Sequence, residues 1–140
     1  MGSSACGHLA ALTLTSYAEY SKDLRPAFGI LCYPVIDMAG ALGHTGSRNN
    51  LLGERPSLEM RRSVSPDLKV SSNTPPCFIW HTVEDTAVPV ENSLMFVSAL
   101  QKHDVPFELH VYPKGRQGLG MNTDYKWEES LLRWLNDLFE

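Results

Sequence analysis

The sequence predicts an α/β fold built on a three-stranded parallel sheet with flanking helices. Two observations carry that prediction. Short continuous apolar runs at residues 27–33 and 77–81 have the composition of strands buried on both faces. Stretches of helical period lie between and after them, and strand-helix alternation of this kind implies parallel pairing with right-handed crossovers. A third feature opens the chain. Gly2-Ser3-Ser4-Ala5-Cys6-Gly7-His8 has the form G-x-S-x-C, one residue away from the G-x-S-x-G turn that exposes a serine between a strand and a helix.

Each element follows from local pattern. The strand leading into the turn is cut to Met1 and Gly2, and residues 7–20, rich in Ala and Leu, are expected to be helical. Ala27-Phe28-Gly29-Ile30-Leu31-Cys32-Tyr33 is a buried strand ended by Pro34. Residues 34–73 are polar and broken by Gly40, Gly43, Gly46, Gly53, Pro56 and Pro66. That is too long for a simple connection, so short helices are expected inside it, for example at 57–62. Pro75-Pro76 punctuates before the second strand, Cys77-Phe78-Ile79-Trp80-His81. Residues 90–102 read as a helix with Leu94, Met95, Val97 and Leu100 on its apolar face. Phe107-Glu108-Leu109-His110-Val111-Tyr112 alternates and forms a third strand, more exposed on one side. Trp127, Leu131, Trp134, Leu135 and Leu138 fall at helical spacing, so the last helix lays one face on the sheet. There is no internal repeat.

Composition narrows the function classes. The chain has 140 residues, the size of one ordinary domain, with 43% hydrophobic and 20% charged residues. A net charge of −4 and a pI near 5.7 give no reason to expect nucleic acid or an anionic membrane as partner. No apolar run approaches the roughly 20 residues of a membrane span. No signal segment precedes the first motif. Three cysteines, Cys6, Cys32 and Cys77, are odd in number and scattered, so no disulfide framework is expected. Cys32 and Cys77 read as small buried hydrophobes. No phosphate-binding glycine loop or dinucleotide fingerprint is present, and no cofactor or metal is implied.

The chemistry lies in the order of three landmarks. Nucleophile-elbow hydrolases place serine, acid and histidine in that chain order. Ser4 holds the first position. Asp85 follows a strand, in Glu84-Asp85-Thr86-Ala87-Val88-Pro89, and suits the acid. The loop after the third strand, Pro113-Lys114-Gly115-Arg116-Gln117-Gly118-Leu119-Gly120, should carry the histidine and carries Gln117.

With these landmarks placed, nearly the whole chain resembles the acetyl-xylan-esterase-like esterase/lipase branch of the α/β-hydrolases, whose elbow runs G-x-S-A-G-G-H-L-A. The resemblance also rests on Tyr33-Pro34-Val35-Ile36, His44-Thr45-Gly46-Ser47-Arg48-Asn49-Asn50-Leu51-Leu52-Gly53, Asp85-Thr86-Ala87-Val88-Pro89-Val90-Glu91-Asn92-Ser93 and Tyr112-Pro113-Lys114-Gly115. It implies a partial α/β-hydrolase fold, with residues 1–140 forming the C-terminal half of one domain and the N-terminal strands missing. It also implies Ser4 as nucleophile, Asp85 as triad acid and the Ala5 amide as one oxyanion donor, with Gln117 at the histidine position. The implied substrates are short acyl or acetyl esters, acetylated sugars among them, and the implied intermediate is a Ser4 acyl-enzyme.

Three departures from the family shape the expectation for this chain. Gln117 has no basic lone pair, so it can hold a hydrogen bond to Ser4 but cannot activate it. The family's front strands, with the H-G-G-type loop that gives a second oxyanion amide, are absent. Met1 then reads as an internal methionine of a longer frame, and the strand around Ile30 is left as an edge prone to poor solubility or to pairing with another chain. Cys6 replaces a glycine and should point into the helix–strand contact at a packing cost. The resulting expectation is an inactive esterase-like hydrolase. The alternatives are a non-catalytic hydrolase-like binding protein and a serine peptidase of the same superfamily.

The remaining polar residues are expected to be structural. His8 and His81 match family positions other than the base. His103 ends a helix, and His110 is expected on the outer face of its strand. His44 has no assigned place. Glu84 is expected to be a solvated neighbour of the acid, and Ser3, in the x position of G-x-S, to face away from the apex.

Overall fold

The computed structural model describes residues 1–121 and 123–140. Four parallel strands form one sheet in sequence order: β1 (Gly2–Ser3), β2 (Gly29–Cys32), β3 (Cys77–Thr82) and β4 (Phe107–Tyr112). The three expected strands are all there. The elbow residues add the two-residue β1, which pairs Gly2 with Leu31 and Ser3 with Cys32. That pairing covers part of the β2 edge left open in the sequence reading.

Alternation along β2 and β3 feeds two cores. Leu31, Cys77 and Ile79 point to one face, where they meet Ala11 and Leu14 of helix α1 (Ser4–Ser16) and Phe96, Val97 and Leu100 of α4 (Glu91–Lys102). Ile30, Cys32, Phe78 and Trp80 point to the other face, under Trp127, Leu131 and Trp134 of α5 (Trp127–Phe139). Both faces are apolar because helices cover both, which is why these strands read as unbroken hydrophobic runs. Trp80 is fully buried and stacks on Trp127 at 5.0 Å. Burying side chains of this size contributes about 1.5–3 kcal/mol each.

Several elements differ from expectation for identifiable reasons. Helix α1 starts at Ser4 rather than near Gly7, since the elbow turns directly into it, and it tightens into a 3₁₀ turn at Tyr17–Glu19. In the long connection, α2 (Thr45–Leu52) and α3 (Leu58–Ser63) form, the second where a short helix was expected. Ser57 caps α3 by accepting the Met60 N–H at 3.1 Å. On α4, Leu94 is exposed and Met95 half-buried, while Asn92, Ser93 and Phe96 face inward. The buried polar residues there belong to a hydrogen-bond network described below. His110 is not on a solvent face. It lies half-buried 5.3 Å from the Phe78 ring, with Nε2 2.6 Å from Glu108 Oε1, because α5 covers that side of β4. Among the described residues no helix is long and apolar enough to cross a membrane.

Candidate active site

The elbow is a strained turn held by close backbone approach. Ser3 is extended at φ −121° and ψ 147°, and Ser4 then adopts φ 54°, in the left-handed region rarely used by residues other than glycine. The turn lifts Ser4 out of the sheet at the start of α1, where it is half-buried and Ala5 is exposed. Two glycines make room for it. A Cβ on Gly2 would sit 2.1 Å from the Cys6 carbonyl oxygen, and one on Gly7 would sit 2.8 Å from Pro34 Cβ. Gly7 therefore holds the helix–strand contact that was expected of Cys6, and the Cys6 thiol is exposed instead. The first-turn amides of α1, Ala5 among them, lie at the positive end of the helix dipole, a setting that favours developing negative charge.

The acid loop is built on buried polar ties. Asp85 follows β3, is 4% exposed, and accepts the N–H groups of Ala87 and Val88 through Oδ1 at 3.0 and 2.9 Å. Behind it His81 is fully buried. Its Nε2 reaches the Val88 carbonyl at 2.9 Å, and Ser93 Oγ lies 2.8 Å from Nδ1. With Nε2–H donating to Val88, Nδ1 accepts from the Ser93 hydroxyl. Burial pushes the His81 pKa down, opposed by the Val88 carbonyl and by Asp85. Asn92 completes the scaffold. Its Oδ1 accepts the N–H groups of Ile36 and Asp37, both at 2.9 Å, and its Nδ2 donates to Leu42 and Pro89 carbonyls. Asn92 thus joins the acid loop to the segment after β2. Its only signal in the sequence was its place in the Asp85-to-Ser93 stretch.

The third loop delivers Gln117 to Ser4. Gln117 Nε2 lies 2.6 Å from Ser4 Oγ, across 113 residues of chain. Gly115, Gly118 and Gly120 all take positive φ, so the loop folds tightly on both sides of Gln117. Side chains tether it from outside. Thr82 Oγ1 donates to the Gly115 carbonyl, and Glu84 Oε2 accepts the Gly115 N–H at 3.1 Å. Tyr125 Oη bonds both the N–H and the carbonyl of Lys114, and Trp127 Nε1 donates to the Gly120 carbonyl. Glu84 is therefore a loop tether, not merely a solvated neighbour of the acid.

The other candidates have structural partners. His8 Nε2 is 2.7 Å from the Val64 carbonyl, and burial lowers its pKa. His44 caps α2, its Nδ1 accepting the Ser47 N–H. His103 follows the last turn of α4. Cys32 and Cys77 are buried, which pushes their thiols up to about 11 and about 12. Among the described residues no group of three or more His, Cys, Asp or Glu is gathered as a metal site.

The prolyl oligopeptidase family matches residues 1–140. The chain is 43% identical over 129 residues to endo-1,4-beta-xylanase B of Butyrivibrio fibrisolvens, covering 88% of this chain and 20% of that protein. It is 34% identical over 147 residues to an acetylxylan esterase of Xylanibacter ruminicola, covering 99% of this chain and 30% of the other. An acetyl ester-xyloside bifunctional hydrolase from Caldicellulosiruptor lactoaceticus matches with a TM-score of 0.88 at 42% identity, over 98% of this chain and 55% of that one. The carboxylesterase Cest-2923 of Lactobacillus plantarum matches with a TM-score of 0.77 at 26% identity, over 97% and 56%. The chain thus spans between a fifth and a third of the curated relatives' length and about half that of the solved structures.

Proposed function

The chain belongs to the prolyl oligopeptidase family and, within the α/β-hydrolases, to the esterase branch; from that premise we propose that its site is that of a serine carboxylic-ester hydrolase whose turnover has been lost. In this reading Ser4 is the acyl-accepting nucleophile, Asp85 the acid and the Ala5 amide an oxyanion donor. The substrates of the complete site are short acyl or acetyl esters, acetylated sugars among them, in line with the esters named for two of the relatives.

The observation that carries this reading is the 2.6 Å contact between Gln117 and Ser4. It sets the residue after the last strand against a hydroxyl on a strained elbow, where a triad keeps its base. A histidine there takes the serine proton during attack and returns it to the leaving group. An amide does neither at neutral pH. In a serine protease, removing the base alone costs about 2 × 10⁶ in kcat, and a residual about 10³–10⁴ over water rests on the oxyanion hole and binding.

A second reading, binding without turnover, draws on a cavity of about 330 Å³ beside the elbow, lined by Ala5, His8, Leu12 and Met38 among others. Peptidase chemistry would use the same three positions, and Gln117 silences it equally. The test is hydrolysis of a short-chain nitrophenyl ester by the purified chain against a Ser4→Ala control. Equal rates are expected, and a clear Ser4-dependent rate would overturn the loss of turnover.

A further inference from the structure

The two edges of the sheet are unequal. β1 offers two residues, whereas β4 offers six, with β3 on one side and no strand on the other among the described residues. All of β3 is buried, while β4 is half-buried along its length and Val111 is 40% exposed. The ladder fixes which β4 groups face outward. The Cys77 N–H donates to the Pro106 carbonyl and the Val83 N–H to the Tyr112 carbonyl, so the even-numbered residues bond to β3. In a parallel pair the odd-numbered residues then turn their N–H and C=O groups away, which makes Phe107, Leu109 and Val111 the outer row. None of the three is a proline or a charged residue, the types that blunt an exposed edge.

We propose that this edge is where two copies of the chain meet, β4 lying antiparallel to β4 about a two-fold axis through Leu109. Outward groups must meet outward groups. Leu109 therefore stands opposite Leu109 of the second copy and Phe107 opposite its Val111, each pair exchanging both N–H···O bonds. Between these pairs Glu108 stands opposite His110 of the second copy, and His110 opposite its Glu108. An acid thus meets a base at both places. Sliding one copy by two residues in either direction would set Glu108 against Glu108 or His110 against His110, so the charges select the register. The faces agree with it. Phe107 and Leu109 already pack on the core under α4, and the pairing continues that apolar row across the axis. On the α5 side, Glu108 lies 2.6 Å from its own His110 and 3.9 Å from the largely exposed Arg133, and the second copy adds a further base beside it.

The interface does not depend on ester chemistry, so its test reads mass and linkage rather than rate. Sedimentation equilibrium of the purified chain at micromolar concentration should give twice the 15.6 kDa of one chain. Val111→Lys puts an ammonium group on the outer row opposite Phe107, and at the same concentration it should return the mass to that of one chain. Register is read by oxidation in a Cys6→Ser background, where the remaining cysteines, Cys32 and Cys77, are buried. Leu109→Cys lies on the axis, about 5.5 Å between Cα atoms from its equivalent and within disulfide reach, and should link the copies. Val111→Cys lies about 13 Å along the strand from its equivalent and should not. A single-chain mass for the unmodified protein, or a dimer that survives Val111→Lys, overturns the pairing. So does the absence of a link through Leu109→Cys. If Val111→Lys loses its fold, the two cysteine variants decide alone.

Discussion

Ser4 and Gln117 meet at 2.6 Å, yet the elbow and the loop that present them are held in opposite ways. The elbow is fixed from within, by backbone packed so closely that a Cβ on Gly2 would strike the Cys6 carbonyl at 2.1 Å. The Ser4 carbonyl is tied as well, accepting the Val35 N–H at 3.1 Å. The loop is fixed from outside, by Thr82, Glu84, Tyr125 and Trp127. At Gly118 and Gly120 nothing lies within 4 Å of an added Cβ. The elbow's geometry is therefore encoded in what cannot fit, and the loop's in tethers that do not involve the Gln117 side chain. A change at position 117 can remove the chemistry while leaving both backbones where they were.

The sharpest way to break this comparison is to add one methyl group on each side of it. Gly2→Ala drives a Cβ into backbone that cannot move independently, and the expected loss is about 3 kcal/mol or more. Gly118→Ala meets no atom and suffers only from its φ of 82°, for an expected loss of about 1 kcal/mol. Urea unfolding of both variants gives the difference. Equal losses would mean that the loop is as tightly packed as the elbow.

How much of this was legible beforehand follows from the kind of force involved. The strands around Ile30 and Phe78 and the helix from Trp127 were readable because burial on one or two faces writes a period into the sequence. β1 was not, since Gly2 and Ser3 carry no apolar pattern and only the G-x-S motif marks the turn. The face of α4 was misread because Asn92 and Ser93 are buried by hydrogen bonds, and a hydrophobic pattern does not register those. Asn92 finds Ile36 56 residues away, and Glu84 finds Gly115 31 residues away, distances at which local pattern is silent. The Gln117–Ser4 contact was foreseeable from the order of landmarks and the family resemblance together. Cys6 was misplaced because the glycine rule was applied one residue too early, where Gly7 makes the contact.

A smaller effect separates the parts of the site by pH. His8 ties α1 to Val64, and His81 ties the acid loop to Val88. Burial lowers both pKa values below 6.5, while the loop holding Gln117 presents no imidazole. In the unfolded chain these histidines take up protons near 6.5, and in the folded chain only at lower pH. Between those values the unfolded state holds more protons. Stability therefore falls as pH drops from about 6.5 toward the folded pKa values, and below them this contribution is flat. Each histidine adds a slope of at most about 1.4 kcal/mol per pH unit. Urea midpoints from pH 7.5 to 5, compared with a His8→Gln/His81→Gln double variant, isolate the contribution. The double variant should show the shallower decline, and an unchanged slope would mean that the two ties bear their protons as freely as exposed histidines.

The smallest expected effect is that of restoring the missing imidazole. Gln117→His places a titratable ring in a loop whose tethers do not depend on residue 117, so it should face Ser4 as Gln117 does. On the proposed reading the Ala5 amide faces the developing oxyanion, and loss of a single donor from such a hole costs about 10²–10³ in kcat, so small displacements matter. The base must meet the Ser4 hydroxyl as well, and the tethers of the loop hold its backbone and not the side chain at 117. A nucleophile must be held to a fraction of an ångström for the proton transfer and the attack to coincide. The single variant is therefore expected to hydrolyse a short-chain nitrophenyl ester no faster than Ser4→Ala. A Ser4-dependent rate in Gln117→His would show that the imidazole alone was missing and that the loop holds a new ring as well as it holds the amide.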